Sequence, residues 1–599
     1  MSLTRISDHL YRYEDTCNVY VVRNGSEALL VDFGAGEVLD VLDSIGVERV
    51  TDVLMTHHHR DQGQGLARAV EAGIRIWVPH MEQDLFHSAD AHWQGRELAN
   101  NYNMRQNRFS LLEPVPIAGT LTDYSTFPFG PYSFTVVPTP GHTIGAVSLL
   151  GEVDGQRVAF TGDLIAAPGK VWSLAATQWT YNRAEGVPST IASLLDLKER
   201  APGLLLPSHG EPMEEPEAAI DLLVERLWAL LQGRGENPRL FQLREQPYAA
   251  ITPHLLRNRT SVANSYVLLS ESGKALLFDY GYDFLTGFTA GVDRASRRPW
   301  LYTLPALKRD FGVTKIDVVV PTHYHDDHVG GFNLLRDAEG TEVWAAENLA
   351  EILEQPTRYN LPCLWYDPIP VDRVLPLEQP IRWEEYELTL YSQPGHTRYA
   401  VAIGLEVDGK RVLVIGDQYE LGTQWNYVYG GRFEADDFRR SAALYQKVKP
   451  DLMLHGHAKP TWVTPEHLET LTRQGDLLLE LHEALLPFET AVFGTDDVAA
   501  TIRPYRAEVR GGEAIEYEVE VQNPFPRAEE AVVRFVVPVG WEVEREEQVA
   551  PLEARATGTV CFRVKVPAGV HVRRARVAVD LTVGGQRFGQ QAEALVTVY

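Results

Sequence analysis

The densest chemistry in the sequence lies at residues 322–331, THYHDDHVGG, where a His-x-His-x-Asp-His run puts three imidazoles and a carboxylate on one short loop. His396, Asp417 and His457 follow downstream, each beside small or turn-forming residues in SQPGHT, IGDQ and GHAKP. Imidazole nitrogen with carboxylate oxygen suits Zn²⁺ and also accepts Fe or Mn. Seven ligands (His323, His325, Asp327, His328, His396, Asp417 and His457) exceed what one tetrahedral ion takes. The count therefore points to two metals sharing a bridge. His455 lies two positions before His457. GHAKP (456–460) aligns with SHGEP (208–212) through its proline, which selects His457 as the ligand and leaves His455 as a supporting neighbour.

A lone loop histidine is usually surface chemistry, but this set recurs at an offset of about 250 residues. VLMTHHHRD (53–61) precedes VVPTHYHDD (319–327), PTPGHT precedes SQPGHT, and GEVDGQRVAFTGDL precedes LEVDGKRVLVIGDQ. In both copies 21 positions separate the GHT histidine from the GD aspartate. The earlier copy supplies His57, His59, Asp61, His142, Asp163 and His209, but Gln62 stands where the later one has His328. An amide oxygen binds Zn²⁺ more weakly than an imidazole. The first-metal set survives there and the second is damaged, so zero to two ions are expected. His58 points away from its neighbours if extended geometry continues, and reads as structural.

These residues resemble the metallo-β-lactamase superfamily of hydrolases, whose pattern runs HxHxDH, a GHT-type His, a GD-type Asp and a His shortly before Pro. The resemblance implies two tandem αββα sandwiches, over 1–235 and 245–490, with a binuclear site at one edge of the paired sheets. Residue by residue it implies His323, His325 and His396 on one metal and Asp327, His328 and His457 on the other, with Asp417 bridging. The implied activity is hydrolysis by a metal-bridging hydroxide, chiefly at the second copy. Asp327 and Asp417 then act as catalytic carboxylates on a small ester, thioester or lactone. Two divalent ions, Zn first and Fe or Mn as alternatives, are the expected cofactors. Rival readings are a mononuclear iron dioxygenase of the same fold, a phosphodiesterase, and a non-catalytic metal-binding scaffold. GTQW (422–425) echoes ATQW (176–179) behind the bridging aspartate, so Trp179 and Trp425 either line a substrate pocket or pack beneath it. Tyr419, two residues after Asp417, is placed to donate to a developing oxyanion.

The elements that must position these residues are also legible. Apolar β-rich runs at 19–22, 28–32, 266–269 and 275–279 read as hairpin strands, and 53–56 and 318–322 as buried strands ending at the histidines. Segments 38–45 and 304–311 read as helical, and 216–231 and 465–485 as long amphipathic helices. Asp279 and His323 lie 44 positions apart against 25 between Asp32 and His57. The excess, 286–303, either covers a site, bridges the copies, or is a plain surface insertion. The stretch 232–247 reads as a linker long enough for the copies to pack as an intramolecular pseudo-dimer. Over 500–599 short alternating runs at 515–521, 532–537, 559–566, 572–583 and 594–598 predict an all-β immunoglobulin-like sandwich.

Composition bounds the rest. At 599 residues, 44% apolar, the chain is globular and multidomain. A net charge of −27 repels phosphate backbones and anionic lipid, so a small-molecule substrate is expected, with neither nucleic acid nor membrane as partner. Three cysteines do not make a disulfide framework. The first 17 residues lack an apolar signal core, and no run is long enough to span a bilayer, so the expected location is the cytoplasm.

Overall fold

In the computed structural model, which describes residues 3–183, 185–287, 291–487, 491–496 and 498–599, the chain is a mixed α/β assembly of stacked sheets. The first seven-stranded sheet runs in sequence order from Thr4–Arg5 to Gly119–Leu121, antiparallel up to Glu27–Val31 and parallel from there through Arg49–Leu54 and Arg75–Pro79. A five-stranded sheet faces it, in the order Leu204–Pro207, Gln156–Gly162, Val147–Val153, Tyr132–Pro138 and Thr126–Phe129. Strand alternation explains the layering, because successive side chains serve opposite faces. Val136 and Leu149 enter the core between the sheets, with Tyr20, Leu29 and Leu54 opposite them. Their neighbours Val137 and Leu150 meet the helices Gly186–Glu199 and Pro216–Arg234 on the outer face.

The same order returns later in the chain. A seven-stranded sheet from Tyr248–Thr252 to Arg373–Leu375 faces a six-stranded one that contains Tyr386–Ser392, Val401–Val407, Lys410–Gly416 and Leu452–His455. Helices Asp437–Val448 and Pro465–Leu485 cover the outer face of the six-stranded sheet. Residues from Ala500 onward form a four-stranded and a five-stranded sheet closed on one apolar core, which includes Tyr517, Phe535 and Phe562. The expected strands appear there as Ala514–Gln522, Glu529–Val536, Thr557–Lys565, Val572–Val583 and Gln586–Val598. The three cysteines are free. Among the described residues no helix is long and apolar enough to cross a membrane.

Three segments read from the sequence take a definite form. Segment 38–45 is helical, as two 3₁₀ turns, Glu37–Asp40 and Leu42–Ile45, each too short to propagate. The supposed linker 232–247 holds the end of Pro216–Arg234 and a short helix, Leu240–Glu245, whose Leu240 is buried in the helical layer. The insertion at 286–303, of which 288–290 lie outside the described residues, is no plain surface loop. Its Arg298 grips Asp123 of the earlier half through two contacts of 2.9 and 2.7 Å and donates to the carbonyls of Ile144 and Ala146. Both charged side chains are almost wholly buried. Arg105 pairs with Asp293 at 2.6 Å, and Trp300 and Tyr302 pack into the helical layer of the first half.

Candidate metal centre

The predicted ligands lie at the C-terminal ends of strands, the edge where mixed sheets usually present ligands, with Asp327 and His328 on the short helix Asp326–Val329 and Asp61 on Arg60–Gly63. Lys315–Val320 leads to His323, Tyr386–Ser392 to His396, Lys410–Gly416 to Asp417 and Leu452–His455 to His457. The two sheets are tied at this edge by Val401 N–H donating to the Thr322 carbonyl at 2.9 Å. Gly416 has φ +51°, and a Cβ there would lie 2.6 Å from Thr322 Oγ1, so only glycine lets Asp417 approach the histidine loop.

In the second half the structure gathers His323, His325, His396 and Asp417 into one group and Asp327, His328 and His457 into a second. The hydrogen bonds behind the rings decide which nitrogen faces inward. Thr322 Oγ1 gives its single proton to Asp279 Oδ2 at 2.8 Å, so it accepts from His323 Nδ1 at 3.1 Å and leaves Nε2 with a lone pair. His328 Nδ1 donates to Asp279 Oδ2 at 2.8 Å, His396 Nδ1 to the Asn426 carbonyl at 2.8 Å and His457 Nδ1 to the Val262 carbonyl at 3.2 Å. Outer partners of this kind are the usual way a protein aims ligating imidazoles. Inside the ring, His323 Nε2 is buried without a hydrogen-bond partner, and the buried His328 Nε2 and Asp417 Oδ1 face each other at 3.3 Å. His325 Nδ1 and His396 Nε2 face each other at 3.1 Å. Convergent buried lone pairs of this kind are what a cation relieves, so the residues fit a bound metal.

The electrostatics agree. Burial, then the neighbouring imidazoles, hold His323 well below its ordinary value, and burial holds His325 down at about 3, which keeps both rings neutral. Around the second group burial works the same way but is outweighed. Asp417, Asp279 and Asp327 push His328 up, and Asp327 and Asp417 raise His457 to about 10. Excess negative charge here calls for cations.

In the first half His57, His59 and His142 come together, as do Asp61, Asp163 and His209. His57 Nδ1 lies 3.0 Å from Thr56 Oγ1, which is bonded to Asp32, repeating the relay behind His323. His142 Nε2 stands 3.0 Å from His59 Nδ1 and 3.3 Å from Asp163 Oδ2. Gln62 is wholly buried, and its Nε2 lies 3.3 Å from Asp163 Oδ2. His209 presents Nδ1 to Asp163 at 2.8 Å and is stacked under Trp172 at 4.0 Å. Asp32 is raised to about 7 because burial outweighs its donors Ser208 and Thr56.

The profile of the Metallo-beta-lactamase superfamily matches residues 12–209 and again 259–457. The chain belongs to this superfamily. Among curated proteins it is 28% identical over 153 residues to a hydroxyacylglutathione hydrolase of Shewanella sp. (strain ANA-3), covering 25% of this chain and 49% of that one. The YobT protein of Bacillus subtilis (strain 168) is 24% identical over 230 residues, 35% of this chain and 89% of that one. The chain spans about half the length of the hydroxyacylglutathione hydrolases it matches. Among solved structures, a HARLDQ-motif mutant of the metallo-beta-lactamase of Cronobacter sakazakii aligns at 19% identity and TM-score 0.31, covering 40% of this chain and 98% of that one. A metallo-beta-lactamase of Novosphingobium pentaromativorans aligns at 16% identity and TM-score 0.32, covering 39% and 91%.

The remaining predicted residues of this superfamily member lie in its packing. Tyr419 is a core residue: its ring packs on Phe438 and Tyr445, and its hydroxyl is enclosed without a partner, so it does not open onto the metal groups. Trp179 is buried against Ile144 and Ala295, and Trp425 packs on the helical layer with its indole N–H on the Gln474 carbonyl. His455 sits outside both groups, 3.0 Å from Thr461 Oγ1, and burial lowers it to about 4. His58 turns to the buried Glu82 at 3.0 Å, as a structural residue does. Four positions packed against the two groups were not singled out from the sequence: Asp32 and Asp279 behind the histidines, Ser208 on Asp32, and Gly456, where a Cβ would meet Asp417. The signal for the aspartates was present, since VDFG and FDYG both keep them. Both adopt left-handed backbone, φ +56° and +58°, which non-glycine residues rarely hold without cause.

Proposed function

We propose that the protein is a metal-dependent hydrolase that cleaves a small ester, thioester or lactone, chiefly at the second-half centre. The observation that carries this is the complete set of seven ligands there, in two adjoining groups that share Asp417 through His457 Nε2 at 3.1 Å from its Oδ2. When bound, two divalent ions, Zn²⁺ first, supply Lewis acidity and bring the pKa of a water toward ~7. Asp417 holds the two groups together. Asp327, whose Oδ2 is 3.1 Å from His457 Nε2, orients the nucleophile and passes its proton to the leaving group. Arg297, on the inserted segment, stands 3.6 Å from Asp326 and over the Tyr282 ring, and places a cation beside this edge. Several relatives are hydroxyacylglutathione hydrolases, which puts acylated thiols first in the substrate panel.

The chain organisation we propose is two copies of one αββα unit, 1–235 and 245–490, packed as an intramolecular pseudo-dimer, and an immunoglobulin-like sandwich over 500–599. The shared strand order and the Arg298–Asp123 clasp support it. The complete second group favours two metals over a mononuclear dioxygenase.

The deciding experiment is turnover of thioester, ester and lactone substrates by metal-loaded protein and by His396→Ala. Hydrolysis that disappears in the variant, with an unchanged circular dichroism spectrum, is expected. Hydrolysis by metal-stripped wild-type protein would overturn the reading.

A further inference from the structure

The two halves differ at the second metal position in two residues, not one. In the second half His328 fills the space beside Asp279, its Nδ1 on Asp279 Oδ2 at 2.8 Å and its Nε2 3.3 Å from Asp417 Oδ1. That arrangement needs Gly456: a Cβ there would stand 1.8 Å from Asp417 Oδ1 and 2.9 Å from His328 Cε1. In the first half the position aligned with Gly456 is Ser208. Its hydroxyl donates to Asp32 Oδ2 at 2.6 Å, so the buried carboxylate that would aim an imidazole is already satisfied. Gln62 takes the remaining space, fully buried, and directs an amide N–H rather than a lone pair at Asp163 Oδ2.

We propose that Gln62 and Ser208 work as a pair that closes the second metal position of the first half, leaving a one-ion site at His57, His59 and His142. Each half of the pair is required. A histidine at 62 facing an intact Ser208 meets an aspartate whose Oδ2 is taken, and a glycine at 208 beside Gln62 leaves no imidazole to ligate. The first half therefore holds a metal without the paired ions that its counterpart offers a substrate. This rests on reading the second half as a two-metal centre.

The test is metal content per chain of full-length protein stripped, reloaded with Zn²⁺ and desalted, read by elemental analysis. Wild type is expected at about three ions. Gln62→His and Ser208→Gly singly are expected to stay there, and the double variant to rise by one. A rise with Gln62→His alone, an unchanged double variant that still melts cooperatively, or four ions in wild type would overturn the proposal. The mirror exchange, His328→Gln with Gly456→Ser, covers the case of a double variant that does not fold. It is expected to remove one ion, and full occupancy there would equally overturn it. Failure of the two-metal reading shows separately, as a wild-type count that His396→Ala with Asp417→Ala leaves unchanged.

Discussion

At the scale of single residues the centre is governed by atoms that touch no metal. Asp279 serves two ligands at once, through Thr322 to His323 and directly to His328, so one carboxylate aims two lone pairs. Replacing it by Asn keeps the shape and removes one acceptor. Asp279→Asn is expected to weaken Zn²⁺ binding by about 10–100-fold, the usual cost of losing an outer partner, as measured by competition with a chromophoric chelator. Glu82 makes a different residue-scale prediction. Burial alone would push its carboxyl up. The His58 charge and donors from His58 and Thr143 outweigh burial and hold it at about 2. A depressed carboxyl stabilises the fold above its unfolded value, and that contribution is lost as pH falls toward 2. Wild type is expected to exceed Glu82→Gln in unfolding free energy by about 2–3 kcal/mol at pH 7. The gap should close progressively below about pH 4.5, as followed by denaturant titration at several pH values.

At the scale of elements, the inserted segment before Leu304–Phe311 decides how the halves meet. Arg298 is buried with both its partner and its carbonyl acceptors in the other half, so removing it leaves Asp123 as an uncompensated buried charge. Arg298→Met is expected to cost about 3–5 kcal/mol and to split the unfolding of the first 490 residues into separable transitions, measured by calorimetry. Trp179 is tied to the same contact through Ala295. Trp179→Ala is expected to destabilise by about 3–5 kcal/mol while leaving the Zn²⁺ content unchanged, which separates packing from substrate contact. GTQW and ATQW are alike in sequence but not in packing: Trp179 lies against Ile144 and Ala295, whereas Trp425 packs on the helical layer and donates to the Gln474 carbonyl. Periodicity and composition placed the strands and the two long helices they named to within a few residues, but gave no sign of the helices Gly186–Glu199 and Asp437–Val448. They placed 38–45 as helical without its type, because a short apolar run cannot distinguish an α-helix from successive 3₁₀ turns.

At the scale of the whole molecule, metal and fold are linked. An ion that binds only the native chain stabilises it by about 4 kcal/mol when present at a thousand times its Kd. Chelation is therefore expected to lower the melting temperature by several degrees, with recovery on adding Zn²⁺, read by differential scanning fluorimetry. The double substitution His396→Ala with Asp417→Ala should abolish most of that shift if the second-half centre holds most of the metal.

The ligand inventory, the order of the motifs and the repetition at about 250 residues belong to the sequence alone, because imidazole and carboxylate chemistry is carried by residue type and a duplicated unit repeats its local spacing. Gln62 as the odd position was also visible there. What only the tertiary structure decided is everything that depends on neighbours distant in the chain. It set which nitrogen of His323, His328, His396 and His457 faces inward, through Thr322, Asp279 and the carbonyls behind the rings. It enclosed Tyr419 in packing and turned the 286–303 insertion into a clasp. It also made Ser208 the companion of Gln62, since these residues, 146 positions apart and bonded to Asp32 and Asp163 respectively, reach one site only after two sheets have closed on each other.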